Sequence, residues 1–405
     1  MRRSQFAEIL GGQPHGEHAA AIIDAEETGE WTRQFVRASS GQGPVFIANP
    51  DWGEVERKQF REICRQQSSD WDPERGWLMI PTGGSSGEMK LARHDQTTVL
   101  AATNGAAQFF NVARIHSLGT LPRHHIGGLM AWLRSALTGG TYLDASWRRI
   151  AEGGFPRLSS ESRVVSLVPT QLARLMEVEG SARWLREFYA VLIGGAALDE
   201  RSANWARKEE IRLCPSYGAT ETAAMACALL PDEFLAGESG VGKALPHLTV
   251  DLSDGGELQW RGTSLFSGYW PHLRPSDAPW SSGDLGKVDG AGRIEIAGRS
   301  DGLIISGGEK INPAEVEALL RDILPQTNLK VLGVPHARWG KCVVLAHEGQ
   351  NALDLDGLWS RAENRLAKFK WPKYAVPISD WPINSMGKTN HRVVAERVQA
   401  KLDLA

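Results

Sequence analysis

The middle of the chain alternates between short apolar runs and a segment with helical periodicity. Arg163–Val168 and Tyr189–Ile193 are apolar runs with the length of buried strands. Between them, Thr170–Val178 places Leu172 and Leu175 on one face of a predicted helix. This alternation predicts an α/β sheet with helices packed against it.

The apolar runs become shorter further along the chain. Leu248–Leu252, Glu257–Arg261 and Arg293–Ile296 have the pattern of short strands. Glycine-containing segments at Asp254–Gly256 and Asp289–Gly292 provide turns between them. We therefore predict a small β-rich subdomain here.

The last hundred or so residues mix both patterns. Leu329–Val334 and Cys342–His347 resemble strands, and Leu358–Ala367 resembles a helix. We predict a mobile α+β C-terminal domain over 299–405, after a large domain over 1–298. The first 75 residues are polar and irregular, and they give no prediction of their own.

A second C-terminal helix is predicted from its start signals. Asn312 is a favourable N-cap, Pro313 suits the first helical position, and Glu315 is placed to complete a capping box.

Composition limits the class of protein. The chain has 405 residues, 42% of them hydrophobic and 23% charged, which is typical of a globular protein of two or three domains. A net charge of −3 provides no basic field for nucleic acid or an anionic membrane. The four cysteines form no CxxC pair, and no apolar stretch has the length of a membrane span. We expect a cytoplasmic protein, for which a homodimer is compatible with the sequence.

The first candidate site is the loop Thr82–Lys90. Its glycines let successive backbone N–H groups converge, its hydroxyls add donors and Lys90 adds a positive charge, so the loop could bind a polyphosphate. It does not fit the Walker A pattern. The structural alternative is a flexible surface loop.

Three further segments carry weaker signals. In Ser216–Thr222, a tyrosine could stack on a base, and a threonine beside a glutamate could hold magnesium; the alternative is a capped turn. In Ser282–Gly286, Asp284 is predicted to lie in a tight turn, where it either caps its own backbone or binds ribose hydroxyls. Near the C-terminus, Lys388 follows a glycine on a predicted loop and is either solvated or moved into a site.

The segment Gly298–Glu317 joins a turn, a glycine-rich loop and a helix start. With the four segments above, it completes an ordered series that resembles the adenylate-forming superfamily, which includes acyl- and aryl-CoA ligases, peptide-synthetase adenylation domains and luciferases. Pro122–Gly128 and Gly194–Ala196 resemble two more signatures of that superfamily. Within it, Ser166–Leu175 resembles the o-succinylbenzoate–CoA ligases. Met89 and Ala219 depart from the usual residues, and the region before the loop is shorter than is usual.

The resemblance implies the adenylate-forming fold, a reaction with ATP, Mg²⁺ and coenzyme A, and a role for each matching residue. The residues implied to bind nucleotide are Thr82, Ser85, Ser86, Lys90, Gly194, Gly195, Ala196, Tyr217, Gly218, Thr220, Asp284 and Arg299. Glu221, with Thr220, is implied to position magnesium.

The resemblance also implies a two-step mechanism. Lys388 would stabilise charge while the acyl-adenylate forms. The domain after hinge Asp301 would then turn, bringing Ser306–Lys310 to the thioester step. His125 would lie beside the acyl pocket, with a packed or solvated histidine as the alternative.

The acyl pocket is implied to include Thr170 and Gly218. We expect Arg174 to bind the second carboxylate of o-succinylbenzoate, with plain solvent exposure as the alternative. Other hypotheses are another aryl- or acyl-CoA ligase, an enzyme that loads a carrier protein, and a non-catalytic scaffold.

Overall fold

The computed structural model describes residues 1–402 apart from 53, 83–88, 159–162, 301, 307–308, 326, 337–339, 363–364, 366–367 and 384–388. The side chains of residues 55, 305, 309, 310, 340 and 369 are likewise outside the description. The predictions for Ser85, Ser86, Asp301 and Lys388 therefore lie outside the described residues, as does part of Ser306–Lys310.

The chain divides into two compact units. The large unit comprises Met1–Asp251, Gln259–Trp280 and Val288–Glu295, and the small unit comprises Leu252–Leu258, Ser281–Lys287 and Ile296–Ala405. The domain division at residues 298 and 299, with its hinge, stays a prediction.

The large unit begins with a four-stranded sheet, whose first two strands, Ala21–Ile23 and Val45–Ile47, lie in the first 75 residues, for which we made no prediction. Strands β1, β2 and β3 are parallel, and β4 is antiparallel to β3. Buried aliphatic residues of the strands, such as Ile23 and Val45, pack in this layer with the fully buried aromatic side chains of Phe6, Phe35 and Trp77. The elements are α1 (Arg3–Ile9), β1 (Ala21–Ile23), α2 (Thr28–Ser39), β2 (Val45–Ile47), α3 (Glu54–Cys64), β3 (Leu78–Thr82), β4 (Lys90–His94) and α4 (Gln96–Phe109).

The second sheet has seven strands in the order β11-β10-β9-β8-β7-β5-β6. The five strands β9, β8, β7, β5 and β6 are parallel, whereas β10 and β11 are antiparallel additions. The elements are β5 (His116–Gly119), α5 (Ile126–Thr138), β6 (Tyr142–Asp144), α6 (Trp147–Ala151), β7 (Arg163–Leu167), α7 (Pro169–Leu175), α8 (Ser181–Leu185), β8 (Ala190–Ile193), α9 (Glu200–Lys208), β9 (Leu213–Ala219), β10 (Ala224–Ala228), α10 (Pro231–Leu235) and β11 (Lys243–Ala244).

Separate apolar clusters cover the two faces of this sheet. One contains Val165, Val191 and Leu213 with side chains of α7 and α9. The other contains Val164 and Leu192 with side chains of α4. Both faces of the strands are covered, which explains why their sequences are continuous apolar runs. The two strands predicted in this region are confirmed, and the helix predicted over Thr170–Val178 is shorter, ending at Leu175.

A crevice is expected at one edge of the second sheet. Strands β6 and β7 both follow β5 along the chain, but they pair on opposite sides of it. At such a point the loops after adjacent strands diverge, and ligands of open α/β sheets bind there, outside the carboxyl ends of the strands. The connections in question are residues 120–125 between β5 and α5, and Val168 between β7 and α7.

The β-rich region forms a third sheet whose strands follow chain order. Its strands are β12 (Leu248–Leu252), β13 (Glu257–Gly262), β14 (Trp280–Val288) and β15 (Ile294–Arg299). The prediction of a tight turn at Ser282–Gly286 is wrong, because these residues lie inside β14. Gly283 has a positive φ of 71°, so the backbone of β14 is irregular at this position. A glycine placed there for that reason resembles a turn signal in the sequence.

The small unit contains a further sheet with helices on both faces. Strands β17, β16, β19 and β18 are antiparallel neighbours in that order, and β20 pairs in parallel with β19. The elements are β16 (Ile304–Ser306), β17 (Glu309–Ile311), α11 (Pro313–Ile323), β18 (Leu329–His336), β19 (Gly340–Glu348), α12 (Leu355–Arg361), β20 (Tyr374–Ile378) and α13 (His391–Leu402). Side chains of α11 and α12 form one apolar cluster with this sheet, and those of α13 form another.

The predicted start of α11 is confirmed, since the Asn312 side chain accepts a hydrogen bond from the N–H of Ala314 at 3.0 Å. Glu315 does not complete a capping box; its carboxylate instead accepts hydrogen bonds from Lys370. The helix predicted over Leu358–Ala367 begins earlier, at Leu355, and ends at Arg361. Within the described residues, no helix is long and apolar enough to cross a membrane.

Helix α5 starts very close to the loop that precedes it. A Cβ atom at Gly128 would lie 2.2 Å from the carbonyl oxygen of Pro122. At the preceding position, Gly127, the nearest atom is the end of the flexible Leu121 side chain at 3.3 Å. The two adjacent glycines therefore differ sharply in the space available to a methyl group.

We expect Gly128→Ala to lower the free energy of unfolding by about 1–3 kcal/mol, since the loop and helix must separate. Gly127→Ala is the matched control and should be neutral or stabilising by up to about 1 kcal/mol, because alanine favours the helix. Urea unfolding followed by tryptophan fluorescence measures both. Equal effects of the two substitutions would contradict the close contact at Gly128.

Candidate active site

The predicted phosphate loop connects two paired strands. Thr82 ends β3, Lys90 begins β4, and the two residues are register partners in the antiparallel pair. The pairing fixes both ends of the loop, although residues 83–88 lie outside the description. A short loop closed by a β-ladder has its ends close together, as a loop that wraps a phosphate requires.

Glu221 lies in a short 3₁₀ turn, Thr220–Thr222, between β9 and β10. Its side chain is largely buried, at 8% exposure. The Thr222 hydroxyl bonds the backbone of Ala219, and Ser264 Oγ donates to the carbonyl of Thr222 at 3.2 Å. These bonds fix the orientation of the turn that carries Glu221 and Thr220.

His94 holds the same turn from strand β4. Its Nε2 lies 2.7 Å from the carbonyl oxygen of Thr220, and its Nδ1 lies 3.0 Å from the hydroxyl of Thr98. A carbonyl only accepts, so Nε2 carries the proton. Burial lowers the pKa of His94 to about 4, against the favourable effect of the Thr220 carbonyl on the charged form. His94 is therefore a neutral donor at neutral pH, and nothing in its sequence context predicted this role.

The residues after Glu221 adopt an unusual backbone. Ala223 and Ala224 have positive φ values of 54° and 75°. Left-handed conformations cost a non-glycine residue about 1–3 kcal/mol and persist where neighbouring contacts enforce them, often at functional sites. These two left-handed residues come immediately after the turn Thr220–Thr222, which carries the predicted site residue Glu221.

Tyr269 contacts two of the predicted site residues, although no sequence motif marks it as a functional residue. Its hydroxyl donates to Glu221 Oε1 at 2.7 Å. The Lys90 ammonium lies 5.4 Å from the centre of its ring, within the range of a cation–π interaction. The phosphate-loop lysine and the glutamate are thus joined through one tyrosine side chain.

The predicted adenine-binding residues lie at the carboxyl ends of β8 and β9. Gly194, Gly195 and Ala196 follow β8, and the Ser216 hydroxyl donates to the last carbonyl of that strand, Ile193, at 3.0 Å. Gly195 has a φ of 84°, which turns the chain away from the sheet.

Tyr217, on β9, stacks on the fully buried Trp260 with ring centres 5.8 Å apart and planes 18° apart. Gly218, the next residue, is exposed. Trp260 supports the tyrosine ring from one side, which would orient it for stacking on a base.

His125 and Thr170 lie at the starts of α5 and α7, the helices that follow β5 and β7. His125 is the N-cap residue of α5, and its ring lies 4.4 Å from that of His124. Burial lowers the pKa of His124, against the opposing charge of Asp51. The Thr120 hydroxyl donates to the carbonyl of Ser166 at 2.6 Å, so the ends of the two strands are tied together.

Arg174 does not have the surroundings expected for a carboxylate-binding residue. More than half of its side chain is exposed, and its Nη1 lies 3.1 Å from a carboxylate oxygen of Glu177 on the same helix surface. A neighbouring carboxylate opposes the binding of a second one. The structure therefore disfavours Arg174 as the residue that recognises a substrate carboxylate.

Arg134 is a buried cation on α5 that the sequence analysis missed. It is 5% exposed, and its Nε and Nη2 atoms have no hydrogen-bond partner among the described residues. Burial lowers its pKa to about 10, so it remains protonated at neutral pH. An unpaired buried charge is costly and marks a site that an anion can satisfy. The signal in the sequence was a charged residue within the largely apolar segment 129–137.

His247 lies close enough to Arg134 for the two side chains to interact electrostatically. Burial and the positive charge of Arg134 lower the pKa of His247 to about 4. Both ring nitrogens are buried without a partner among the described residues. Two polar groups that lack partners therefore share one buried region of the large unit.

The small unit contains the predicted ribose-binding pair. Arg299, the last residue of β15, donates to the carbonyl of Ser282 at 2.8 Å, and its Nη1 lies 3.5 Å from Asp284 Oδ1. A Cβ atom at Gly283 would lie 2.9 Å from the guanidinium, so glycine makes room for Arg299. The structure brings Asp284 and Arg299 together.

Comparison with known proteins identifies relatives along most of the chain. The family described as AMP-binding enzyme matches residues 14–270. The indoleacetate–CoA ligase of Aromatoleum aromaticum is 30% identical over 353 residues, which cover 81% of this chain and 68% of that protein. The 2-succinylbenzoate–CoA ligase of Listeria monocytogenes is 28% identical over 338 residues, covering 81% and 71%.

The fold also matches a solved enzyme. The o-succinylbenzoate CoA synthetase of Bacillus subtilis, in complex with its acyl-adenylate intermediate, superposes with a TM-score of 0.77 at 20% identity and covers 96% of this chain and 90% of that one. The same synthetase has been solved with ATP and a magnesium ion. The predicted adenylate-forming fold is thereby confirmed.

The depressed pKa of His94 predicts a pH-dependent stability. Between pH 6.5 and about 4 the unfolded chain binds a proton at this position that the folded chain does not, so stability falls as pH falls through that window. His94→Gln removes this titration and should flatten the slope of unfolding free energy against pH. Urea unfolding at pH 7.5 and 4.5 measures it; parallel pH slopes for both proteins would contradict the assignment.

Proposed function

This chain belongs to the family of AMP-binding enzymes, and on that premise we propose that it activates a carboxylic acid with ATP and transfers the acyl group to coenzyme A. The substrate we favour is o-succinylbenzoate. The proposal is supported by the fold, by the ligases to which the chain is similar, and by the residues around Glu221.

The observation that carries the proposal is the cluster of Lys90, Tyr269 and Glu221. A lysine at the end of a candidate phosphate loop lies over the same ring whose hydroxyl holds a buried glutamate. Mg²⁺ in nucleotide sites is bound by one or two carboxylates together with substrate phosphates. A single buried, oriented carboxylate fits that requirement, with Thr220 as its neighbour in the chain, and bound magnesium would neutralise phosphate charge.

In the first step, a carboxylate oxygen of the acid attacks the α-phosphorus of ATP, and the bond to pyrophosphate breaks. Both reactants are anions, so the site must offset negative charge. We propose that Thr82, Ser85, Ser86 and Lys90 bind the phosphates and that Lys388 stabilises the charge at the α-phosphate. The base would stack on Tyr217 beside Gly194–Ala196.

In the second step, the thiolate sulfur of coenzyme A attacks the acyl carbonyl carbon, and AMP leaves. For the small unit we propose ribose binding by Asp284 and Arg299, a hinge at Asp301, and a role of Ser306–Lys310 in this step. His125 would lie beside the acyl group, at the crevice between β5 and β7.

The choice of acid depends on a second carboxylate. o-Succinylbenzoate has two carboxylates, whereas indoleacetate has one. We propose that Arg134, near His247, binds the carboxylate that does not react, because it is a buried cation whose Nε and Nη2 have no partner among the described residues. A guanidinium binds a carboxylate through paired hydrogen bonds.

ATP–pyrophosphate exchange with a panel of carboxylic acids tests the first step. We expect exchange with o-succinylbenzoate, and Lys388→Ala should reduce it by about 100- to 1000-fold, as loss of one charge-stabilising group does. The same variant should still form thioester from supplied acyl-adenylate and coenzyme A. Equal loss of both steps would contradict a role of Lys388 confined to the first.

Pyrophosphate exchange, combined with a measurement of acyl transfer from the adenylate to coenzyme A or a carrier protein, separates the alternatives. Acyl transfer to a carrier protein but not to coenzyme A would favour a loading enzyme. Exchange with indoleacetate alone would favour an aryl–CoA ligase for monocarboxylic acids. No exchange with any acid would favour a non-catalytic scaffold.

Arg134→Met tests the recognition of the second carboxylate. We expect kcat/KM for o-succinylbenzoate to fall about 10- to 100-fold, as loss of a charged hydrogen bond of 1.5–3 kcal/mol does, with a much smaller change for a monocarboxylic acid. Stability should be kept or raised, because an unpaired buried charge is removed. Arg174→Met is the matched control and should leave kcat/KM unchanged. Equal losses for both acids would remove this role of Arg134.

A further inference from the structure

We infer that Tyr269 is a positioning residue that fixes the Glu221 carboxylate in the orientation needed to hold a divalent cation. This inference rests on the proposed function, in which Glu221 binds magnesium together with nucleotide phosphates. It adds a residue that no sequence signal singled out, and it assigns a separate task to each part of the tyrosine side chain.

The backbone around Tyr269 is fixed to strand β4. Ser267 N–H donates to the carbonyl of Arg93 at 2.7 Å, and Arg93 N–H donates to the carbonyl of Gly268 at 2.8 Å. Tyr269 itself forms an antiparallel bridge with Ala92. The segment therefore acts as a short additional strand beside β4, two residues from Lys90.

The Arg93 side chain strengthens this attachment. It is fully buried and donates to the carbonyl oxygens of Gly76 at 3.1 Å and Pro271 at 3.0 Å, and it lies over the ring of Trp270. Both sides of Tyr269 in the chain are thus held by strand β4. A tyrosine on such a fixed segment loses little conformational freedom when its hydroxyl makes a bond.

The same segment also binds the backbone of Glu221. Phe266 N–H donates to the carbonyl oxygen of Glu221 at 2.8 Å, and the Tyr269 hydroxyl donates to its side-chain Oε1 at 2.7 Å. Two bonds from residues three positions apart fix the main chain and the carboxylate of one residue. The carboxylate is thereby oriented before any cation binds.

The ring of Tyr269 has a second task, since it carries the Lys90 ammonium 5.4 Å from its centre. The ring keeps the lysine near the glutamate without a direct ion pair between them, which would neutralise both groups. A phenylalanine would keep the ring contact and lose only the hydroxyl. The two tasks can therefore be separated by substitution.

Tyr189 provides a matched control in the same unit. Its hydroxyl donates to the carbonyl of Phe110 at 2.8 Å, and the Arg212 guanidinium lies 5.8 Å from its ring centre. It shares the hydroxyl bond and the cation over the ring, but it contacts neither Glu221 nor Lys90. Tyr189→Phe therefore reports the general effect of losing one such hydroxyl.

The experiment measures Mn²⁺ binding by electron paramagnetic resonance on the whole chain, with α,β-methylene-ATP present. Loss of a hydrogen-bond partner of a metal-ligating carboxylate costs about 10- to 100-fold in metal affinity. We expect Tyr269→Phe to raise the Kd for Mn²⁺ about tenfold and Tyr189→Phe to leave it unchanged, with both melting temperatures close to that of the wild type. In a Glu221→Gln background, Tyr269→Phe should have no further effect.

An unchanged Kd in Tyr269→Phe would overturn the inference, as would a tenfold rise that persists in the Glu221→Gln background. An equal rise in Tyr189→Phe would also overturn it, because the effect would then be a general loss of structure. A wild-type protein that binds no Mn²⁺ with the nucleotide would overturn both this inference and the proposed function. Binding by the wild type with an unchanged variant would overturn this inference alone.

Discussion

Strand β4 is hydrogen-bonded along both edges, and the candidate site depends on that arrangement. On one edge it pairs with β3, which closes the loop between Thr82 and Lys90. On the other it holds the segment that carries Tyr269, and from its end His94 donates to the turn of Glu221. Backbone hydrogen bonds buried in this way are costly to break. The relative positions of lysine, tyrosine and glutamate are therefore set by main-chain pairing rather than by the charged side chains themselves.

Local patterns in the sequence were sufficient for elements buried on both faces. Arg163–Leu167 and Ala190–Ile193 are continuous apolar runs because helices cover both sides of them. Strand β14 was not predicted because its residues are polar, half-exposed and include Gly283. It is a strand because it pairs with β13 and β15 on either side. The first layer of the large unit was not predicted either, because β1 and β2 are only three residues long and three residues are too few to show a periodic pattern.

The residues of the candidate site also fall into two groups, those with a local signal in the sequence and those without one. Residues in glycine-rich or threonine-glutamate segments, such as Lys90 and Glu221, carry a local signal. Tyr269 and His94 carry none, because each acts on a residue far away in the sequence: Tyr269 on a turn 48 positions earlier and His94 on one 126 positions later. Long-range contacts of this kind can be found only in the folded chain. Arg174 is the opposite case. Its residue type and its segment favoured a carboxylate-binding role, but in the folded chain its side chain is exposed to solvent beside Glu177.

The neutrality of His94 also bears on how the reaction rate would vary with pH. With a pKa of about 4, His94 keeps its proton on Nε2 throughout the range in which such an enzyme works, so its bond to Thr220 does not titrate there. Titration of His94 therefore does not change the geometry of the turn that carries Glu221 in this pH range. Any variation of rate near neutral pH would then have to arise from groups other than His94.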